Sequence, residues 1–311
     1  MSGTRRALVT GAGGFVGTHL CKALHADGWQ VCALGRRLAA NLAGVTESRG
    51  VDIRDREALN AAIGDLHPNA VVHLAASRTR ANDLEAYRAA FDTNVMGTLN
   101  VIEACDRLHD EVTLVVLGSA EEYGTQTAPF AEDRREHPVT AYGAAKLSAT
   151  HLVQSLVRGE RLRAVVLRPS VVYGPGQHPD MFLPSLIRAL TAGERFPMSA
   201  GEQTRDFLYI TDLLSAIVRA MVVPAGLGHV INVSSGEPVK LRQVARLVAG
   251  LIGPDTERLL DIGARGYRDG EVMDYQVGND VAKRLLAWRP SVPLQDGLRA
   301  TVEHFRSAAV S

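Results

Sequence analysis

The chain has 311 residues, 46% of them hydrophobic, enough to bury a sizeable core in one large domain or two unequal ones. Its 34 basic residues balance 34 acidic ones, so no global field draws it to nucleic acid or an anionic membrane, and any anion it binds must be met locally. No run reaches the roughly twenty apolar residues that span a bilayer.

Cys21, Cys32 and Cys105 are odd in number, widely spaced and set in apolar runs, which suits buried thiols of a reducing compartment better than disulfides. The ten histidines and three cysteines show no zinc-ligand spacing, so no metal is expected. Arg5 and Arg6 superficially resemble a twin-arginine start, but only four residues separate Arg6 from Gly11, too few for an export segment. A cytoplasmic location is expected.

In chain order, the first half alternates short β-branched apolar runs with helical patterns. "RALVT" leads to a helix over 14–27, followed by "VCALG", "NAVVHLAA", a long helix over 83–109 and "VTLVVLG". A helix over 141–158 and "RAVVLRP" complete this half. Continuous apolar runs joined by helices predict strands covered on both faces with right-handed parallel crossovers, a doubly wound α/β sheet of the Rossmann type. After Arg168 the pattern is irregular, with the loop "YGPGQHPD", a helix over 182–191, a strand at "RDFLYI", a helix over 211–222 and a strand at "HVINVSS". Helices over 241–252 and 294–306 follow, and these pieces suggest a smaller second lobe.

"GAGGFVG" spaces Gly11, Gly14 and Gly17 between a strand and a helix, where glycine permits a tight turn and the approach of backbone amides to a pyrophosphate. An ordinary tight turn is the alternative. An acid commonly follows the second strand of such a unit and binds both free ribose hydroxyls; here Gly35, Arg36 and Arg37 stand instead. The missing acid removes repulsion of a 2′-phosphate and the guanidinium forks suit one, so NADP(H) is expected in preference to NAD(H). A solvated arginine pair is the competing reading. Asp52 and Ile53 in "GVDIRD" could hold an adenine or form a plain strand-end contact.

"TAYGAAKLSA" carries Tyr142 and Lys146 four residues apart on one helix face. A lysine ammonium beneath a phenol is expected to lower its pKa, so that the oxygen gives or takes a proton near neutrality. Alone such a pair is usually surface decoration; its weight comes from Ser119, at the end of the preceding strand, whose hydroxyl could hold a carbonyl oxygen.

With these residues in place the sequence resembles the extended short-chain dehydrogenase/reductase family, which includes nucleotide-sugar epimerases, dehydratases and ketoreductases. The resemblance covers essentially the whole chain and rests on "TGAGGFVG", "VVHLAA", "NVMGTLNVIEAC", "GSAEEYG", "YGAAK", "RPSVVYGPGQ", "RDFLYITDL" and "INVSSGEP". It implies a Ser119, Tyr142, Lys146 triad, with Tyr142 and Lys146 also meeting the cofactor. It further implies a cofactor site of Gly11, Gly13, Gly14, Phe15, Val16 and Gly17, then Leu74, Ala75, Ala76 and Asn94, with Pro169, Val171 and Val172 facing the nicotinamide. Residues 1–168 are expected to form the dinucleotide-binding domain, with 206–234 returning to it. Residues 169–205 and 235–311 are expected to form a nucleotide-sugar-binding lobe.

The family's dehydratases carry an Asp-Glu pair after the Ser/Thr; here Ala120 replaces the Asp while Glu121 remains, so dehydration lacks its general acid. "GSAEEYG" also looks like the matching segment of GDP-4-keto-6-deoxymannose reductases. With the arginines, that makes an NADPH-dependent reductase of a nucleotide-linked 4-keto-6-deoxyhexose the leading expectation, hydride going to C4 and the proton coming from Tyr142. An NAD-dependent nucleotide-sugar 4-epimerase is the alternative, and a non-catalytic dinucleotide sensor the second alternative. The resemblance places Arg205 and Arg268 at the substrate diphosphate, or in loop salt bridges to Asp206 or Asp269. It places Glu121 at a sugar hydroxyl or in solvent, and Gln177 and Phe182 beside the substrate. Phe91, Val95, Leu99, Ile102 and Leu108 form a helical stripe that ordinarily means core, and by resemblance the helix over 83–109 pairs with its copy in a homodimer.

Overall fold

The computed structural model describes residues 5–39, 41–79, 81–108, 112–159, 161–268 and 270–310. The chain begins with strands β1 (Arg6–Thr10) and β2 (Gln30–Gly35) around helix α1 (Phe15–Ala26). There follow β3 (Glu47–Gly50), α2 (Arg56–Leu66), β4 (Ala70–His73), α3 (Leu84–Phe91), α4 (Gly97–Asp106) and β5 (Thr113–Leu117). Helix α5 (Ala141–Arg158) and β6 (Ala164–Pro169) close this half. The short β7 (Val171–Tyr173), α6 (Phe182–Thr191), β8 (Phe196–Met198) and β9 (Thr204–Tyr209) come next. Then come α7 (Ile210–Val222), β10 (Val230–Val233), β11 (Pro238–Lys240) and α8 (Leu241–Ile252). The chain ends with β12 (Leu260–Ile262), α9 (Asp280–Leu286) and α10 (Leu294–Val310).

Seven strands form one parallel sheet in the order β10-β6-β5-β4-β1-β2-β3. This is the doubly wound Rossmann-type α/β fold. All six residues of β6 are buried, as a strand covered on both faces requires. One face carries an apolar cluster joining Leu20 and Leu24 of α1 to Leu213 and Ile217 of α7; the other joins Leu59 and Ile63 of α2 to Val101 and Ile102 of α4. Each such side chain contributes about 1.5–3 kcal/mol by leaving water. Among the described residues no helix is long and apolar enough to cross a membrane.

Ser170 separates β6 from β7, and there the chain leaves the large sheet for a three-stranded one, β11-β9-β7. Helices α6, α8 and α10 build a separate apolar cluster beside it, with Leu186, Ile187, Val244, Val248 and Leu298 at its centre. From β9 the chain passes into α7, which covers the large sheet, and β10 joins that sheet at its edge. The carboxyl ends of β4, β5 and β6 therefore open toward the smaller lobe, where ligands of such sheets bind.

Three elements differ from the sequence expectation. The helix over 83–109 is two helices joined by a π-helical turn, Asp92–Met96, and its terminal residue His109 lies outside the described residues. The stripe is core in part: Ile102 is buried, Val95 and Leu108 pack half-buried against core clusters, Leu99 is half-buried and Phe91 is exposed. On α3 the buried face is made of small residues, Ala86 and Ala90, which pack closely on Ala141 and Ala145 of α5, whereas on α4 it includes Val101 and Ile102. The short strand expected to end at Asp52 and Ile53 is β3, which stops at Gly50, and helix α2 has no counterpart among the expected elements. Strand β3 is a polar edge, "ESRG", with no apolar pattern, and α2 is announced only by Asp55, whose side chain accepts from the Ala58 amide at 3.0 Å.

Candidate active site

The turn between β1 and α1 fits a pyrophosphate. Gly11 has φ +69°, and a Cβ there would lie 2.7 Å from the Ala75 amide nitrogen after β4. A Cβ on Gly17 would collide with the Gly11 carbonyl oxygen. Gly14 caps α1 with no side-chain hydrogen bond, so the first-turn amides keep their capacity for an anion. Phe15 and Val16 continue into the helix from there, and Gly13 lies close to the Arg37 carbonyl oxygen, 3.0 Å from where its Cβ would stand. Leu74 and Ala75 are tied back to Thr10, the Leu74 amide donating to its carbonyl oxygen at 3.3 Å and the Ala75 amide to its hydroxyl at 3.3 Å. Ala76 is exposed at the mouth.

At the adenosine end β2 stops at Gly35, and Arg36 and Arg37 are exposed. The Arg54 guanidinium, donating to both Asp52 oxygens, holds that carboxyl below the usual range, with a smaller contribution from Arg36. Asp52 is thus already paired at 2.8 Å, and Ile53 is buried against Gly97 rather than presented to a ligand. Both polar atoms of the Asn94 amide are engaged by Ser77: its Oδ1 accepts from the Ser77 amide at 2.7 Å and its Nδ2 donates to the Ser77 carbonyl at 3.0 Å.

Helix α5 starts at Thr140, whose hydroxyl accepts from the Gly143 amide at 3.0 Å, and so presents Tyr142 and Lys146 toward the end of β5. Ser119 caps the short 3₁₀ turn Ala120–Glu122; its hydroxyl accepts from the Glu121 amide at 3.1 Å while its own amide donates to Glu122 Oε1 at 2.9 Å. Lys146 is buried, donates to the Leu117 carbonyl oxygen at 2.7 Å, and has its ammonium 6.0 Å from the Tyr142 ring centre. Burial pulls the Lys146 pKa down to about 8, with Glu122 opposing.

The acidified phenol expected from the Tyr142–Lys146 spacing is not found. Burial, and then the charge of Glu121, push the Tyr142 pKa upward, while Arg78 and a hydrogen bond with Ser119 pull the other way. With Lys146 turned to a carbonyl, its charge is not the one that governs the phenol. Burial raises the Glu121 pKa too, against Arg78, Arg205 and Arg268, so Glu121 lies among these cations rather than in open solvent.

Arg205 does not pair with Asp206: its guanidinium donates to the carbonyl oxygens of Thr204 and Val272 and pairs with Glu271, with the Tyr275 ring 5.5 Å away. Asp206 is buried, accepting from Ser170, Ser235 and the Gly236 amide. Arg268 is exposed, and Asp269 lies outside the described residues. Gln177 is buried and donates to the Val172 carbonyl at 2.9 Å, bracing the segment that carries Val171, which follows Pro169 at the end of β6. Phe182 packs edge-on against Phe196 in the core of the smaller lobe.

Three features were missed in the sequence. Arg78 stands over Tyr142 at 5.9 Å from the ring centre; its signal is a cation just past the carboxyl end of β4. Tyr275 is buried within electrostatic reach of Tyr142 and Glu121 and has no local signal. The third is a buried ion network: Arg168, 1% exposed, donates to Glu122 Oε2 at 2.7 Å and Glu136 Oε1 at 2.6 Å, with its guanidinium 4.9 Å from the Tyr123 ring centre. Its signal was an arginine inside the apolar run "RAVVLRP".

A dinucleotide turn, a Rossmann-type sheet and a hydroxyl–phenol–ammonium cluster at the strand ends together mark an enzyme that works with a nicotinamide dinucleotide. The chain belongs to the NAD dependent epimerase/dehydratase family, whose model matches residues 7–234. A UDP-glucose 4-epimerase of Mycolicibacterium smegmatis is 30% identical over 318 residues, 97% of this chain and 99% of that protein. Among solved structures, the UDP-glucose 4-epimerase of Thermotoga maritima with UDP-glucose superposes with a TM-score of 0.90 at 28% identity, covering 98% of this chain and 99% of its own. The UDP-glucuronic acid 4-epimerase of Bacillus cereus, in complex with UDP-glucuronic acid and NAD, gives a TM-score of 0.87 at 27% identity, covering 97% and 99%.

These full-length matches overturn the reductase expectation. Its two supports were Arg36 and Arg37, which concern the dinucleotide and not the reaction, and the likeness of "GSAEEYG" to a reductase segment, whose Ser119 serves epimerases and reductases alike.

Proposed function

We propose that this protein is a nucleotide-diphosphate-sugar 4-epimerase. The observation that carries the reading is the convergence of Ser119, Tyr142 and Lys146 at the end of β5 with Ala120, fully buried, where a dehydratase holds its acid. A dinucleotide held at the turn of Gly11, Gly14 and Gly17 would supply, when bound, the hydride chemistry at C4 of the sugar. Tyr142 takes the proton from the C4 hydroxyl and later returns one to the same oxygen after the ring has presented its other face. Ser119 holds that oxygen, and Lys146 fixes the floor of the site through Leu117. Residues 1–168 with 206–234 bind the dinucleotide, and 169–205 with 235–311 form the sugar-nucleotide lobe. In that lobe Arg205 and Arg268 meet the diphosphate, and Gln177 and Phe182 border the sugar, with Glu121 accepting from one of its hydroxyls. Purified protein should interconvert a nucleotide sugar and its C4 epimer without added reductant.

We propose further that the dinucleotide is NADP(H), although the Bacillus cereus relative holds NAD. Gly35 in place of an acid and the exposed Arg36 and Arg37 support a 2′-phosphate. Losing a charge-assisted pair costs roughly 1.5–3 kcal/mol, so Arg36→Ala with Arg37→Ala should weaken NADP binding at least about tenfold and leave NAD binding within about twofold, measured by calorimetry. Equal losses for both dinucleotides would dismiss the 2′-phosphate site.

We propose that the chain pairs with its copy through α3 and α4, where Leu84, Phe91 and Met96 are exposed at 81%, 38% and 50%. A Phe91→Glu, Met96→Glu variant should sediment as a monomer while keeping its far-ultraviolet spectrum; an unchanged sedimentation coefficient would dismiss this interface.

A further inference from the structure

Among the described residues, one cation besides Lys146 stands at about the same distance from the Tyr142 ring. Arg78 lies in the loop after β4, with its guanidinium carbon 5.9 Å from the ring centre against 6.0 Å for the Lys146 ammonium. The two differ in what else they do. Lys146 is buried and committed to the Leu117 carbonyl. Arg78 is exposed and makes no ion pair within 4 Å among the described residues. A guanidinium keeps its proton throughout the working pH range, whereas the Lys146 ammonium, drawn down to about 8, does not.

Hydrogen bonds fix the chain on both sides of Arg78. Immediately before it, the Ser77 amide and carbonyl are both clamped by the Asn94 side chain, which projects from the π-helical turn between α3 and α4. A little beyond it, Asn82 Oδ1 accepts from the Ala141 amide at 2.8 Å and Asn82 Nδ2 donates to the Val139 carbonyl at 3.0 Å. The second latch thus closes on the residue next to Tyr142. A π turn is a costly irregularity that recurs at functional sites, and here it aims Asn94 at the loop that carries the cation.

We infer that Arg78 is a positioning residue of the site, the permanent positive charge that favours the Tyr142 phenolate from the β4 side. The groups facing the phenol are Glu121 and Glu122 from the 3₁₀ turn, Ser119 at its cap, Lys146 on its own helix, Tyr275 from the smaller lobe, and Arg78. Both carboxylates oppose ionisation. Arg78 opposes them with a charge that is not committed to a backbone carbonyl, as that of Lys146 is. The role in turnover rests on the 4-epimerase reading; the effect on the phenol does not.

The test uses holoprotein labelled with 3-fluorotyrosine, the Tyr142 fluorine resonance being identified by its loss in Tyr142→Phe. Removing a cation raises a phenol's pKa. In Arg78→Gln the ionisation midpoint should therefore move up by about one pH unit, and Arg78→Lys should restore most of it. Across the acid limb of turnover, where rate follows the phenolate fraction, Arg78→Gln should be about tenfold slower, with KM for the nucleotide sugar changed far less. An unshifted midpoint in Arg78→Gln, or equal shifts in Arg78→Gln and Arg78→Lys, overturns the inference. A shifted midpoint in a protein that epimerises no nucleotide sugar leaves the inference standing and removes the 4-epimerase reading instead.

Discussion

Replacing Tyr142 by Phe should lower turnover by about a thousandfold while leaving the fold and the dinucleotide site intact. A positioned general acid–base group contributes about 10²–10⁴ in rate, and Lys146, the other member of the pair, donates to the Leu117 carbonyl. The substitution removes one oxygen from a half-buried ring whose packing is otherwise unchanged. Stability should therefore stay within about 1 kcal/mol. Steady-state rates and a urea titration on the same preparation check both halves. Turnover within tenfold of the parent would mean that the proton moves through a group other than Tyr142.

Arg168→Met should destabilise the protein by about 3–5 kcal/mol, the cost of leaving a buried carboxylate uncompensated. Glu122 has no exposed surface, and its two oxygens face Arg168 and the Ser119 amide. Removing the guanidinium also strips the partner of Glu136 and the cation above Tyr123, whose hydroxyl donates to Asn232 in β10 at 2.8 Å. The double change Arg168→Met, Glu122→Gln should recover part of the loss, because a neutral amide buries more cheaply than a lone charge. A single-variant loss below about 1 kcal/mol in urea unfolding would show that water reaches Glu122 and that the network is not dry. Since Glu122 holds the Ser119 amide, turnover should fall in the single variant even where it remains folded.

Much of this was legible in the sequence, for reasons that particular residues make plain. The parallel core announced itself because strands covered on both faces must be apolar throughout, as "RALVT" and "VTLVVLG" are. The glycine turn was legible because no other residue fits: Gly11 and Gly17 each sit where a Cβ would strike backbone. Tyr142, Lys146 and Ser119 were found from spacing and position, but their electrostatics were not. Whether an ammonium faces a phenol or a carbonyl depends on a turn of one side chain, and Lys146 chose Leu117. The stripe from Phe91 to Leu108 misled in part, for a related reason. Periodicity reports that a face is apolar; it does not report that the small opposite face, Ala86 and Ala90, fits α5 more closely. Arg78, Tyr275 and Glu136 come from separate segments, and only the folded chain sets them around α5 and β6. The choice between reductase and epimerase hung on features common to both, and comparison with full-length relatives corrected it.

The central claim is that C4 is oxidised and re-reduced within one site. The direct measurement is to incubate the protein with UDP-glucose and UDP-glucuronic acid carrying deuterium at C4, in ordinary water and without added reductant, and to follow the product by NMR. The account predicts a C4-epimeric product that keeps its deuterium, formed by the parent protein and about a thousandfold more slowly by Tyr142→Phe. Product that has exchanged its C4 deuterium for solvent hydrogen, or a 4-keto sugar that has lost its C6 substituent in place of an epimer, would contradict it.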